Sequence, residues 1–261
     1  MDDYIATFQN LHIDKLSVSF TWDDNFHRHK EFIAPLFSKY NKKRTFYINV
    51  GDKDFTSQLI SNYKQLSNDG FEIGSHGYNH KSMKMMTEKE FVDQMESSIR
   101  EISMLLNFRP ITFAFPHHEY NSLNVELTKH YFIETRNTLN QSHRISLKSH
   151  TKLSDVIQKI DQLICSNKNI VFSGHSVKTA LDKSTHYEDG YEPIQLNLIN
   201  DILLYLEGIK RIEVITFEQA AFKEYLKQNC NYTQTECILS PYNLTYLTQY
   251  GINLDRINSI L

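Results

Sequence analysis

The chain has 261 residues, 40% of them hydrophobic, enough to bury a sizeable core as one large α/β domain or two small ones. Its 31 acidic and 28 basic residues leave a net charge of -3 with no long basic run, which argues against nucleic acid as a partner. No apolar run approaches the roughly 20 residues of a membrane-spanning helix, and Cys165, Cys230 and Cys237 are too few for a disulfide framework and lack the paired spacing of a zinc ribbon.

Met1 through Gln9, with Asp2 and Asp3, carries neither a basic region nor an apolar one, so no secretory signal is visible and the expected location is cytoplasmic. The tracts Asn231-Tyr-Thr and Asn243-Leu-Thr match the glycosylation sequon and are read as chance matches.

Short apolar, β-branched or aromatic runs alternate with longer segments of helical period, the pattern of a parallel α/β fold. In chain order, strands are expected at Lys15 to Phe20, Thr45 to Val50, Phe71 to Ile73, Ile111 to Phe115, Phe132 to Thr135, Ile170 to Phe172 and Arg211 to Thr216. Helices are expected at His27 to Tyr40, Thr56 to Ser67, Thr87 to Asn107, Ser154 to Ser166 and Pro193 to Gly208. In the third of these, Thr87 and Glu90 form a capping-box pattern ahead of the stripe Phe91, Met95, Ile99, Ile102 and Leu106. Seven strands with right-handed crossovers are about enough for a distorted (β/α)7-type barrel with mostly parallel strands. After Ala220 the chain turns polar and rich in Asn, Tyr and Thr. This divides it into a main unit, 1–220, and a C-terminal extension, 221–261, expected to pack on the same domain as a pair of short helices.

Ionisable residues cluster just after the expected strand ends, where parallel sheets carry their active sites. In Thr21-Trp22-Asp23-Asp24 the adjacent carboxylates point in different directions, so one can bind a metal while the other accepts a proton from water. A helix N-cap is the competing reading of that pair. In Gly74 to His80, His76 and His80 are four residues apart and can reach one cation. The other clusters are Phe113 to Asn121, with Pro116, His117 and His118, and Ser173-Gly174-His175. Either could instead hold only surface or satisfied core histidines.

The order and spacing of these clusters resemble the polysaccharide deacetylases, carbohydrate esterase family 4, over roughly Leu16 to Ala220. Thr-Trp-Asp-Asp-Asn at 21 to 25 resembles the family's Thr-Phe-Asp-Asp-Gly, and Ser-His-Gly-Tyr-Asn-His at 75 to 80 resembles its Ser-His-Thr-x-x-His. The resemblance implies that Asp24, His76 and His80 hold a divalent metal, with zinc the expected ion. It makes Asp23 the general base and His175 the general acid, and it gives the backbone amide of His117, after Pro116, an oxyanion. The implied reaction is removal of an acetyl group from an N-acetylated sugar, oligosaccharide or glycolipid.

The departures from the pattern are specific. Ala114 stands where many members carry an arginine that orients the catalytic aspartate, and Arg136 is the expected substitute from a neighbouring loop, Glu134 to Thr138. His118 stands in place of a glycine, and Asn25 in place of the glycine after the aspartate pair. Gly77 replaces a serine or threonine that braces the metal loop. Trp22 is read as a core residue, with stacking on a sugar face as the alternative, and His27, His29 and Tyr78 are rim candidates. Two other readings compete: a degenerate, non-catalytic carbohydrate-binding domain of the same fold, and a two-histidine, one-carboxylate iron oxygenase. The second aspartate argues against the oxygenase.

Overall fold

The structure is a computed structural model that describes residues 3–8, 11–136, 142–180, 182 and 192–261. Of the positions considered above, Met1, Asp2, Gln9, Asn137 and Thr138 lie outside the described residues.

The elements, in chain order, are β1 (Tyr4–Thr7), β2 (Leu16–Asp23), a π-helical turn His29–Ile33 running into α1 (Ala34–Lys39), β3 (Thr45–Ile48), α2 (Ser57–Asn68), β4 (Glu72–Ser75) and α3 (Glu88–Leu106). There follow β5 (Thr112–Phe113), a 3-10 turn Pro116–His118, α4 (Ser122–Thr128), β6 (Glu134–Thr135), β7 (Ser142–Ser146), α5 (Leu153–Cys165), β8 (Asn169–Gly174), β9 (Val177–Lys178) and β10 (Ile194–Gln195). The chain closes with α6 (Leu196–Glu207), β11 (Ile212–Val214), α7 (Phe217–Asn229), β12 (Asn231–Tyr232), β13 (Glu236–Leu239), α8 (Pro241–Thr248) and α9 (Leu254–Ile260).

Eight strands make one parallel sheet in the order β6-β5-β4-β3-β2-β8-β7, with β11 also paired to β2. β8 occupies one edge of β2 over Val18 to Trp22. The other edge is shared, with β11 along Leu16 to Val18 and β3 along Thr21 to Asp23. That division curls the sheet into a distorted, open barrel, the expected fold. The seven expected strands all belong to it, with β6 shorter than expected and β2 running on to Asp23. β7 and α4 have no counterpart among the expected elements: β7, Ser-His-Arg-Ile-Ser, alternates weakly and carries few apolar residues.

β2 is buried along its whole length because both of its faces are covered. Val18, Phe20 and Trp22 point outward into the layer beneath the helices, where the Phe20 ring lies 5.0 Å from Phe37 and stacks at 4.5 Å on Phe172. Truncating Phe20 to alanine would cost about 3–5 kcal/mol. Ser17, Ser19, Thr21 and Asp23 face the barrel interior, which polar groups satisfy locally: Thr21 Oγ1 donates to the Phe172 carbonyl at 2.8 Å. α3 carries the expected capping box, with Glu90 N–H donating to Thr87 Oγ1 and Thr87 N–H to Glu90 Oε2 at 2.8 Å, and it buries Phe91, Met95, Ile99 and Ile102.

The C-terminal stretch departs from two helices alone. Besides α8 and α9 it forms the hairpin β12–β13, whose second strand pairs antiparallel with β1, Tyr4 opposite Leu239. α7 runs across residue 220, and Phe222, Leu226, Cys237 and Ile257 share one apolar cluster with Tyr47, Ala114 and Val171 of the barrel.

Candidate metal centre and active site

Asp23 and Asp24 end β2 at the rim where the parallel strands terminate. Asp23 continues the inward alternation of the strand, whereas Asp24 takes φ 70°, a left-handed conformation that turns its carboxylate away from that of Asp23. His76 follows the last residue of β4, and Gly77 at φ 78° and His80 at φ 55° fold the loop back so that both imidazoles meet Asp24. His80 Nε2 lies 3.1 Å and His76 Nε2 3.6 Å from Asp24 Oδ1. One ligand atom from each of Asp24, His76 and His80 falls within 4.8 Å of the others.

His76 Nδ1 lies 2.8 Å from the carbonyl oxygen of Ala114, which can only accept, so Nδ1 carries the proton and the Nε2 lone pair faces Asp24. Burial lowers the His76 imidazole to about 3 and the His80 imidazole to about 4, against the opposing charge of Asp23. Both rings are therefore neutral at pH 7, the form that binds metal. Two neutral imidazoles and one carboxylate suit a divalent cation in charge and ligand type.

The loop is braced from outside itself. Gln94 Oε1, on α3, accepts from the backbone N–H groups of Tyr78 and Asn79 at 3.2 and 3.3 Å, and Ser75 Oγ accepts from Gly77 N–H at 3.2 Å. Gly77 is required where it stands. Its φ is positive, and a Cβ there would lie 2.7 Å from Met83 Cε, so a serine or threonine would be strained in this loop and would displace the end of the Met83 side chain.

Asp23 is buried beside Arg136, whose Nη1 and Nη2 donate to both carboxylate oxygens, the second at 2.8 Å; Nη1 also donates to Thr21 Oγ1 at 3.1 Å. Burial alone would raise the Asp23 carboxyl, but Arg136, with His76 and His175 nearby, holds it well below the usual carboxylate range. β5 and β6 pair with Phe113 opposite Thr135, so the next residues in register, Ala114 and Arg136, lie side by side. The guanidinium thus comes from the strand adjacent to the one where the family carries its arginine.

His175 follows β8, with Nε2 3.8 Å from Asp24 Oδ2. Its backbone is tied to that of Asp24 through two buried side chains. His29 Nε2 donates to the His175 carbonyl at 3.1 Å, and the Tyr63 hydroxyl lies 3.1 Å from both His29 Nδ1 and the Asp24 carbonyl. Burial lowers His29 to about 3, so the ring is neutral, and the single Tyr63 proton is shared between its two acceptors. His29 is therefore a buried strut rather than a rim residue.

Pro116 is buried, and His117 and His118 follow at φ 55° and 57°. His117 is exposed, its ring 4.4 Å from that of His80 and its Nε2 3.1 Å from the His80 carbonyl. His118 meets Arg144 on β7. Trp22 lies in the core, as read from the sequence, and the alternative of stacking on a sugar face is set aside: it is 1% exposed, and its ring fills the space that a Cβ on Gly174 would enter at 2.5 Å. A cleft of ≈ 330 Å³ opens over the triad, lined by Asp24, His80, His117, Asn49, Asp52 and Asp54. A second cavity of ≈ 280 Å³ adjoins His175, with Ser146, Lys148 and His150 in its wall. Tyr63, Gln94 and Arg144 escape sequence reasoning because none lies near a motif; only the fold brings them to the site.

One carboxylate and two imidazoles gathered at the carboxyl ends of the strands of an open parallel barrel make a candidate metal site where such barrels carry their active sites. Residues 12–134 match the family model described as polysaccharide deacetylase, the family that the motifs resemble. The matched stretch stops short of Arg136 and His175. The peptidoglycan deacetylase of Helicobacter pylori is 27% identical over 131 residues, 49% of this chain and 42% of that protein. The chain spans less than half the length of the curated relatives it matches. Among solved structures, the Xyl-CE4 domain of a multidomain xylanase from the hindgut metagenome of Trinervitermes trinervoides superposes with TM-score 0.59 at 16% identity, over 84% of this chain and 96% of that one. A CE4 family pseudoenzyme from Bacillus anthracis superposes with TM-score 0.57 at 18% identity, over 80% of this chain and 66% of that one. At these identities the structural likeness shows the fold. Among the described residues, no helix is long and apolar enough to cross a membrane.

Proposed function

We propose that this protein is a metal-dependent hydrolase that removes an acetyl group from an N-acetylated sugar, oligosaccharide or glycolipid. The observation that carries this reading is the convergence of Asp24, His76 and His80 within 4.8 Å beside a buried, arginine-held Asp23. These three residues would hold a divalent cation, zinc by its ligand set. When bound, such an ion polarises an acyl carbonyl and brings the pKa of water toward about 7.

The chain's own groups supply the rest. Asp23, ionised and fixed by Arg136, takes a proton from the attacking water; the clamp makes it a weak base but a well-aimed one. The His117 backbone N–H donates to the oxyanion that forms as water adds to the carbonyl. His175 gives a proton to the amine nitrogen as the C–N bond breaks, so the amino sugar leaves as a neutral molecule and acetate remains. Residues 1–220 carry this chemistry, and 221–261 act as part of the same unit through their shared core.

Acetate release from N-acetylglucosamine oligomers by metal-stripped and zinc-reloaded protein tests the reading. Release that appears on reloading supports it. A second reading, a non-catalytic carbohydrate binder, draws support from the likeness to a pseudoenzyme and from the departures at Gly77, Ala114 and His118. Tight glycan binding without acetate release under either condition would favour it.

A further inference from the structure

Two other arginines around this site meet a carboxylate: Arg28 pairs with Asp182, and Arg136 with Asp23. Arg144 has no such pair among the described residues. It lies at mid-height on β7, opposite Val171 of β8, and faces the barrel interior, since Val171 packs with Tyr47 and Ala114 while the next residue, Ile145, packs on the outer core. It is half-buried, and the neighbour of its Nη1 is His118 Nε2.

That neighbour does not balance it. Burial, then Arg136 and Arg144, lower the His118 ring to about 3, so it is a neutral acceptor for one hydrogen bond. A guanidinium offers five N–H donors and a permanent charge. Asp23 also feels Arg144, but both of its oxygens are taken by Arg136. Arg144 thus borders a carboxylate already held by Arg136, and it has no carboxylate partner of its own among the described residues. Further along the same strand direction, Ser146 and Lys148 line the cavity beside His175; Glu192, which accepts from Ser149, is the acidic residue in that wall. Asp52 and Asp54 lie on the cleft that opens over the triad. The β7 side of the site is therefore basic.

We propose that Arg144 recognises an oxyanion, a carboxylate or a phosphate, carried by the substrate close to its acetamide, so that the preferred substrate is an acidic N-acetylated sugar. The sugar rests on the deacetylase reading; the anion rests on Arg144. A planar guanidinium pairs bidentately with either group, whereas a neutral sugar leaves the charge unpaired.

Calorimetric titration of the zinc-loaded full chain with N-acetylmuramic acid, N-acetylglucosamine 6-phosphate and neutral N-acetylglucosamine tests this. At least one acid is expected to bind about tenfold or more tightly than the neutral sugar, the equivalent of one charge-assisted hydrogen bond. The two acids distinguish carboxylate from phosphate. Arg144→Gln is expected to erase the preference, and Arg144→Lys, which keeps the charge, to restore part of it. Equal binding of acidic and neutral sugars by wild type overturns the inference without any variant. A preference that survives Arg144→Gln also overturns it, because the metal alone would then account for anion binding. Acetate release measured alongside separates the two readings. Release from the neutral sugar with no acid preference sinks the anion site alone, and an Arg144-dependent preference without release from any sugar sinks the deacetylase alone.

Discussion

Both carboxylate oxygens of Asp23 are gripped by Arg136, a residue in register with Ala114 but one strand away from it. The pair is fully buried, so each charge depends on the other. Removing one partner of such a pair costs about 3–5 kcal/mol, and misaiming a base costs about 100-fold in rate. Arg136→Ala is accordingly expected to lower both stability and kcat. Arg136→Lys should keep the folded state and recover only part of the rate, because an ammonium cannot span both oxygens. Unchanged turnover in folded Arg136→Ala would remove the arginine from the mechanism.

A second prediction concerns the strut behind the metal loop. Tyr63 touches no ligand atom; it holds the Asp24 carbonyl and His29. Loss of such support typically costs about 10–100-fold in metal affinity. Tyr63→Phe keeps the ring in the core and deletes the hydroxyl, so zinc affinity measured by competition with a chelator should fall in that range. Wild-type affinity in the variant would make the contact structural only.

The barrel and the gathering of Asp23, Asp24, His76, His80 and His175 were legible in the sequence because these residues stand at strand ends, where short apolar runs give way to Asp and His. Arg136 was legible as a missing charge, since Ala114 leaves an aspartate that needs a cation. β7 was not, because a strand that carries Arg144 and His143 lacks a clean period-2 apolar signal. His29, Tyr63 and Gln94 act through long-range contacts with no local spacing to betray them. Trp22 was legible as a core residue despite its place beside a motif, because the alternation of β2 sends its side chain to the face opposite Asp23.

Gly77 gives a third prediction, contrary to restoring the family residue. At φ 78°, with Met83 Cε 2.7 Å from where a Cβ would stand, threonine forces either the backbone or Met83 to move. Gly77→Thr should destabilise by about 1–3 kcal/mol. Chemical denaturation reads this directly, and a stabilised variant would contradict this loop geometry.

A fourth prediction follows from His29. Its folded value of about 3 lies below the ordinary 6.5, so between those two values the unfolded chain binds the proton that the folded chain refuses. Its contribution to stability is therefore fully present above about 6.5 and is lost as pH falls toward 3. Thermal midpoints of wild type should decline from pH 7 to pH 4, and His29→Phe should decline less steeply over that range. Parallel curves would show that His29 does not hold its proton affinity down.

The central claim is that Asp24, His76 and His80 hold a metal ion. Elemental analysis of protein purified under metal-replete conditions, wild type beside Asp24→Ala, tests it most directly. The account predicts close to one zinc per wild-type chain and a large loss in the variant. Wild type without metal, or an Asp24→Ala chain with undiminished metal, would contradict it.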